Sequence, residues 1–125
     1  MPSLFYYLLL NQSLEETYEG TPSMDYLNTV FDCSFILHPK TKRVDIQVVG
    51  TVKKTMPDWT PVVTIPSNLP IANDNQAYCG TVMTSDGKLG VCYISPSRDG
   101  TLSVWGISAS GKESIIKIFG SYYTR

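Results

Sequence analysis

The sequence predicts an all-β fold, most simply an antiparallel β-sandwich or jelly roll. Its 125 residues, of which 42% are hydrophobic, suffice for one core. The clearest strand spans residues 44–52, where apolar residues or glycine alternate with polar ones over most of its length. Asp-Gly pairs at 86–87 and 99–100 are typical of tight hairpin turns. Short alternating segments separated by such turns are characteristic of sandwiches and jelly rolls.

Seven segments have the apolar content or alternation of strands. They are residues 30–38, 44–52, 59–65, 76–85, 89–94, 101–107 and 115–123. The sequence Pro-Lys-Thr-Lys at 39–42 predicts a hairpin turn between the first two. We therefore assign residues 30–125 to one β-sandwich domain.

The first part of the chain, residues 1–29, is predicted to be irregular. The apolar run 4–10 is far shorter than the ~20 residues of a membrane-spanning helix, and it lacks the flanks of a signal peptide. We expect no membrane insertion, and a strand or short helix that packs on the core or on another subunit. Ser13 and Glu16 have capping-box spacing, which predicts at most one helical turn over 13–18.

The charge content of the chain is low and balanced. Charged residues make up 17% of the sequence, below the ~25% of an average soluble domain, and the formal net charge is -1. There is no basic run, so a nucleic-acid partner is not expected. Eight tyrosines together with many Ser, Thr and Asn residues suit sugars and subunit interfaces better than polyanions.

The sequence offers few parts for catalysis. His38 is the only histidine, and no serine lies in a G-x-S-x-G turn. The chain also lacks a phosphate-binding loop and a dinucleotide-binding glycine motif. We therefore predict that the protein is not an enzyme and uses no cofactor, and that His38 is a partly exposed surface residue.

The cysteines and the Asn-Asp-Asn segment are the only hints of metal or disulfide chemistry. Cys33, Cys79 and Cys92 are odd in number and form no C-x-x-C pair. Cys33 and Cys92 lie in apolar runs, where a free thiol is usually a small buried hydrophobe, and folding in a reducing cytoplasm fits this pattern. Asn73-Asp74-Asn75 lacks the spacing of a calcium loop, so we predict an Asx turn and no metal site.

Trp105 is the most informative aromatic residue. Alternation places Leu102 and Val104 on one face of its strand, and if that face is the core, Trp105 points outward. An outward indole is either a platform for a sugar ring or an anchor in a subunit interface, and the sequence leaves both open. Trp59, at the start of its strand, is expected to cap the core. Tyr122 and Tyr123 should point to opposite faces.

These considerations give a candidate glycan-binding site. Its residues are Trp105, Arg98, Asp99, Asn73, Asp74 and Asn75. Arg98 and Asp99 precede the Trp105 strand and offer a forked donor and an acceptor to sugar hydroxyls. The alternative is that Asp99 only shapes the turn at Gly100 and that Arg98 is a solvated charge.

The order of these motifs resembles the receptor-binding head (tip) domains of bacteriophage tail fibres and baseplates. The relevant pieces are the strand 44–52 with its central Gly50, WTPVVTIP at 59–66, Leu69-Pro70, the strands around Asp86-Gly87, DGTLSV at 99–104 and IKIFGSYYT at 116–124. The resemblance covers residues 30–125. It is carried by the order of the motifs, since each of them is common by itself.

The resemblance implies a sandwich or jelly-roll head, usually a homotrimer, at the tip of a virion tail or fibre. Such a protein is made in the cytoplasm of the bacterial host and binds a host cell-surface polysaccharide or another receptor without hydrolysing it. No site residue is transferred by the resemblance. Two alternatives stay open at this point: a structural trimeric knob of a fibre or head decoration with no receptor, and a non-viral carbohydrate-binding module.

Overall fold

The computed structural model describes residues 15–53, 59–73, 78–84, 87, 89–105 and 115–125. Within these ranges the chain forms nine strands and no helix. The strands are β1 (Glu16–Glu19), β2 (Thr21–Pro22), β3 (Leu27–His38), β4 (Arg43–Val52), β5 (Thr60–Thr64), β6 (Tyr78–Thr84), β7 (Leu89–Pro96), β8 (Thr101–Trp105) and β9 (Ile115–Tyr123). The described part of the chain therefore contains no helix long and apolar enough to cross a membrane.

All nine strands belong to one antiparallel sheet that is nearly closed. Their order is β1-β3-β4-β9-β6-β7-β8-β5-β2. β1 pairs with β3 at one edge and β2 pairs with β5 at the other. Because only Gly20 separates β1 from β2 along the chain, the two edges of the sheet meet at this residue. The result is an all-β, barrel-like or sandwich-like arrangement, and the predicted all-β class is confirmed.

The strand predictions agree with the structure where they can be compared. β4 and β9 occupy the predicted segments to within one residue, and β3 begins three residues earlier than predicted. The hairpin turn between β3 and β4 is present, and Lys42 closes it by donating its backbone N–H to the carbonyl of His38 at 2.8 Å. β6 and β7 pair as antiparallel neighbours. Gly87 between them has a φ of 80°, whereas Asp86 lies outside the described residues.

Two predictions for the N-terminal segment are wrong where it is described. The expected helical turn over 13–18 is a strand from Glu16 onward, and residues 16–22 form two strands and are not irregular. The reason is tertiary pairing. The segment supplies the hydrogen-bond partners that the outer edges of β3 and β5 would otherwise lack. The apolar run 4–10 lies outside the described residues.

The core lies inside the nearly closed sheet. β4 shows why: its residues alternate between buried and half-buried along the whole strand. The buried hydrophobic residues are Leu27, Phe35, Leu37, Val44, Ile46, Val48, Val52, Val62, Val63, Leu69, Ala72, Val82, Cys92, Ile94, Leu102, Val104, Ile116, Ile118 and Tyr122. The other face of each strand is the outer face, and it carries the features described next.

Candidate binding face

Trp105 lies at the end of β8 with its side chain on the outer face. Leu102 and Val104 of the same strand are buried, at 0% and 1% exposure, whereas Trp105 is 38% exposed. The predicted alternation of β8 is therefore confirmed. A large indole left this far open to solvent is available to a ligand or to another subunit.

Three aromatic rings are grouped on this part of the outer face. Tyr93 on β7 is the cross-strand neighbour of Trp105, and their ring centroids are 5.4 Å apart. The ring of Trp59 is 6.3 Å from that of Trp105 on its other side. Tyr93 is 40% and Trp59 46% exposed. We call Trp59, Tyr93 and Trp105 the aromatic patch. Its rings are tilted relative to one another by 32° and 51°, and each of them leaves part of its apolar surface exposed.

The expectation that Trp59 caps the core is wrong. The inward position at the start of β5 is taken by Thr60, which is 1% exposed and pairs with Val104. Trp59 also has a φ of 58°, a left-handed conformation that costs a residue other than glycine on the order of 1 kcal/mol or more. Such strain is commonly found where a side chain is held for a function. Here it accompanies the placement of the indole beside Trp105.

A shallow groove of about 630 Å³ runs along the outer face from β3 to β7. Its lining side chains include Ser34, Ile36, Asp45, Gln47, Cys79, Thr81, Val91, Phe119 and Ser121. We call this feature the outer groove. It meets the aromatic patch because Cys79, one of its lining residues, is the cross-strand neighbour of Tyr93. The mixture of apolar walls and hydroxyl, amide and carboxylate groups is typical of a binding site.

Asp45 is the charged centre of the outer groove. Its Oδ2 lies 2.9 Å from Nε2 of His38, and its Oδ1 accepts a hydrogen bond of 2.7 Å from Ser121. Nε of Arg43 lies 3.0 Å from the same Oδ1. Nδ1 of His38 in turn lies 3.7 Å from a carboxylate oxygen of Glu15. His38 is thus a partly exposed residue, as expected, and it belongs to an ion-pair network.

The pKa of Asp45 is lowered by this network. Partial burial acts in the opposite direction and would raise it, but the hydrogen bonds from Ser121 and His38 and the positive charges of Arg43 and His38 together outweigh burial. Asp45 is therefore a fixed negative charge at neutral pH with a nearby cation. It can accept hydrogen bonds from a ligand without attracting a second cation strongly.

The structure places Arg98 and Asp99 away from Trp105. They lie in the turn before β8. The strand has four residue steps of about 3.3 Å from Thr101 to Trp105, so roughly 13 Å separates its two ends. Oδ1 of Asp99 accepts bonds from both the backbone N–H and the hydroxyl of Thr101, at 3.0 and 2.7 Å. These bonds lower the pKa of Asp99. Gly100 follows with a φ of 93°. Asp99 therefore shapes the turn at Gly100, the role that the sequence offers as the alternative to ligand binding.

A separate, smaller cavity of about 160 Å³ lies beside this turn. It is lined by Ile65, Pro66, Ser67, Leu69, Pro70, Ile71, Ala72, Ser97, Arg98, Asp99, Gly100 and Tyr122. Arg98 is exposed at its rim. Tyr122 is fully buried, and its hydroxyl has no hydrogen-bond partner among the described residues. Tyr123 is 49% exposed, so the predicted split between the two tyrosines is confirmed.

Asn73 lies just beyond this cavity and is exposed. Its backbone N–H donates to the carbonyl of Tyr123 at 2.8 Å, and its own carbonyl accepts from Nε of Arg125 at 3.5 Å. Asp74 and Asn75 are outside the described residues. Of the candidate site residues, Arg98 and Asp99 thus share one cavity, Asn73 lies near it, and Trp105 belongs to a different part of the surface.

The three cysteines are free. Cys92 is buried and Cys33 half-buried, and burial raises the pKa of each thiol to about 11. This confirms Cys92 as a small buried hydrophobe. Cys79 differs, because it is exposed and lines the outer groove.

Sequence reasoning missed most of the candidate binding face, although part of the signal was present. Cys92 and Ile94 lie in an alternating strand, and their alternation would have placed Tyr93 outward. The same rule applies to Phe119, which lies between the buried Ile118 and the inner-face Gly120. The closeness of Trp59 to Trp105 had no local signal, since it depends on the pairing of β5 with β8.

Comparison with known proteins adds no relative. No protein-family model, no curated protein and no solved structure matches this chain.

Proposed function

We propose that this chain is a non-catalytic glycan-binding domain whose aromatic patch stacks on a sugar ring. The observation that carries the proposal is the grouping of Trp59, Tyr93 and Trp105, each between 38% and 46% exposed, on one outer face. Sugar rings have apolar C–H faces that pack on aromatic rings, while their hydroxyls need polar partners nearby. The outer groove supplies such partners directly beside the patch.

The biological setting within this proposal is a virion adhesin. The domain is a head at the tip of a phage tail or fibre, assembled as a homotrimer of jelly-roll subunits, and its ligand is a host cell-surface polysaccharide. The order of sequence motifs over residues 30–125 supports this setting. The low charge content, 17% of residues, is consistent with a ligand that is not a polyanion.

A binding role without catalysis is supported by the contacts of His38. In a nucleophilic triad the histidine lies between the serine and the acid. Here the hydroxyl of Ser121 donates to Asp45, and His38 contacts the other oxygen of the same carboxylate. The order is serine, acid, histidine, so the hydroxyl bonds to the carboxylate and not to the imidazole that acts as the base in a triad.

A subunit interface is the second candidate function for this face, as in a structural trimeric knob. It is favoured by additional exposed apolar residues near the patch: Leu89 is 68%, Val91 59% and Phe119 38% exposed. Extended exposed apolar surface often marks a protein–protein contact. The aromatic patch itself is compatible with both functions, so an experiment has to separate them.

The experiment combines Trp105→Ala with measurements of binding and of mass. We expect the variant to lose at least about tenfold in affinity for host cell walls or for the glycans of an array, equivalent to about 1.4 kcal/mol. Light scattering should show an unchanged oligomeric state. Phe31→Ala is the matched control, because Phe31 is an exposed aromatic residue at 65% that lies outside the patch.

Two results would contradict the proposal. Unchanged binding by Trp105→Ala would remove the patch as the sugar platform. Dissociation of the oligomer in Trp105→Ala, with no glycan bound by the wild type, would assign the face to the subunit interface instead.

A further inference from the structure

We propose that the outer groove binds a neutral oligosaccharide that lies across the strands, with one end on the aromatic patch and the other on β3 and β4. This inference rests on the proposed function, because it extends the same site. The ligand is a chain of several uncharged sugars, and this chain lies across the strands.

The pairing of the strands aligns side chains from the patch into the groove. Gly80 pairs with Gly120, so the next pair along these antiparallel strands brings Cys79 beside Ser121. Ser121 in turn pairs with Asp45. One row therefore crosses the outer face in the order Trp105, Tyr93, Cys79, Ser121, Asp45 and Ile36.

A second, parallel row borders the first. Its members are Val91, Thr81, Phe119, Gln47 and Ser34, each paired with the next. Cys79, Ser121 and Thr81 are small, which leaves a trough in the middle of the face. Phe119 and Val91 form apolar walls, while Gln47 and Ser34 provide donors and acceptors at the far end.

The length of the row exceeds that of a single sugar. From β8 to β3 there are five strand spacings of about 4.8 Å, or roughly 24 Å measured along the curved sheet. A pyranose ring is about as long as one such spacing. Because these six strands make up more than half of a nearly closed sheet, a ligand that contacts both Trp105 and the Gln47 end must be an oligosaccharide that bends around the outer surface.

The charge of the groove favours a neutral chain. Asp45 is the one charged side chain among its described lining residues, and Arg43 lies 3.0 Å from it as a counter-ion. A polyanionic glycan would meet the Asp45 carboxylate with no uncompensated cation in the lining. A neutral chain can donate hydroxyls to Asp45 without this repulsion.

Cys79 provides a direct reporter for the proposal. It lies in the middle of the first row and is exposed, while burial raises the pKa of Cys33 and Cys92 to about 11. Iodoacetamide should therefore modify Cys79 selectively, because the thiolate is the nucleophile. A chain lying across the face covers Cys79, whereas a single sugar on Trp105 does not.

The probe is an array of neutral and acidic glycans that runs from single sugars to hexasaccharides. We expect the protein to bind neutral glycans, with affinity that rises with length up to four or more sugars. The longest bound glycan should slow iodoacetamide labelling of Cys79 at least about threefold. Gln47→Ala should weaken the affinity for this glycan about three- to tenfold, as for one lost hydrogen bond. Lys117→Ala is the control, because Lys117 is an exposed residue of β9 outside the groove lining.

The outcomes separate this inference from the proposed function. Three results would show that the extended path is wrong: affinity that reaches its maximum with one or two sugars, tighter binding of acidic than of neutral glycans, or equally fast labelling of Cys79 with and without glycan. Each of these results leaves the aromatic patch as the sugar platform. If Trp105→Ala binds the glycan as the wild type does, the proposed function fails as well. If no glycan of the array binds, both are overturned.

Discussion

Tyr122 shows how one buried atom can limit stability. Its side chain is fully buried, and its hydroxyl has no partner among the described residues. Burial raises the pKa of this phenol above its ordinary value, so the group is neutral over the whole physiological range. A buried hydroxyl without a partner costs about 1–3 kcal/mol. Tyr122→Phe keeps the ring and removes that cost.

We therefore expect Tyr122→Phe to raise the free energy of unfolding by about 1 kcal/mol, measured by urea denaturation. Tyr123→Phe is the matched control, because the adjacent residue Tyr123 is 49% exposed. This substitution should change the free energy of unfolding by less than about 0.5 kcal/mol. A clear loss of stability in Tyr122→Phe would contradict this account. It would show that the hydroxyl has a hydrogen-bond partner outside the described residues, such as a water molecule in the adjacent cavity.

At the scale of elements, Gly20 determines how the sheet closes. It links β1 to β2, and its backbone N–H donates to the carbonyl of Cys33 at 2.9 Å. A Cβ atom on Gly20 would lie 2.6 Å from Phe35 and 2.8 Å from Val63, core residues on the two strands, β3 and β5, that pair with the edge strands. Both distances are shorter than van der Waals contact, so a side chain here forces the core side chains of Phe35 and Val63 to shift.

Gly20→Ala should therefore destabilise the fold by about 1–3 kcal/mol, the usual cost of overpacking. Gly90→Ala is the control, because a Cβ there meets only a methyl group of Val82 at 3.6 Å. That variant should be neutral or slightly stabilising, since alanine restricts the unfolded chain. Equal melting temperatures for the two variants, measured by circular dichroism, would show that the closure at Gly20 tolerates a side chain.

The strands of the main sheet were predictable because each carries its own signal. Alternation alone located β4, β8 and β9 and placed Trp105 outward. β1 and β2 could not be found in this way, because they are short and polar and depend on pairing with β3 and β5. For the same reason the sequence pattern placed Trp59 over the core, apart from Trp105. It also grouped Trp105 with Arg98 and Asp99 in one candidate site. Contacts between strands far apart in sequence decide the site, and a local pattern does not contain them.

At the scale of the whole molecule, stability should depend on pH through Asp45. Its carboxylate connects three strands, since it contacts His38 on β3, Arg43 on its own strand β4 and Ser121 on β9. These contacts lower its pKa in the folded protein despite the opposing effect of burial. The unfolded chain retains the ordinary value of 3.8. The native state is thus favoured above pH 3.8, and this contribution is lost as pH falls through the lower folded pKa.

We expect Asp45→Asn to be less stable than the wild type at neutral pH, with a difference that shrinks as pH is lowered below 3.8. The measurement is thermal unfolding of both proteins over a pH series. The variant keeps some acid sensitivity, because bonds from Thr101 also lower the pKa of Asp99. Asp25→Asn is the control, since Asp25 is an exposed carboxylate in the turn before β3. A constant difference between wild type and Asp45→Asn at all pH values would mean that Asp45 acts through its hydrogen bonds alone, and that its charge contributes nothing to holding β3, β4 and β9 together.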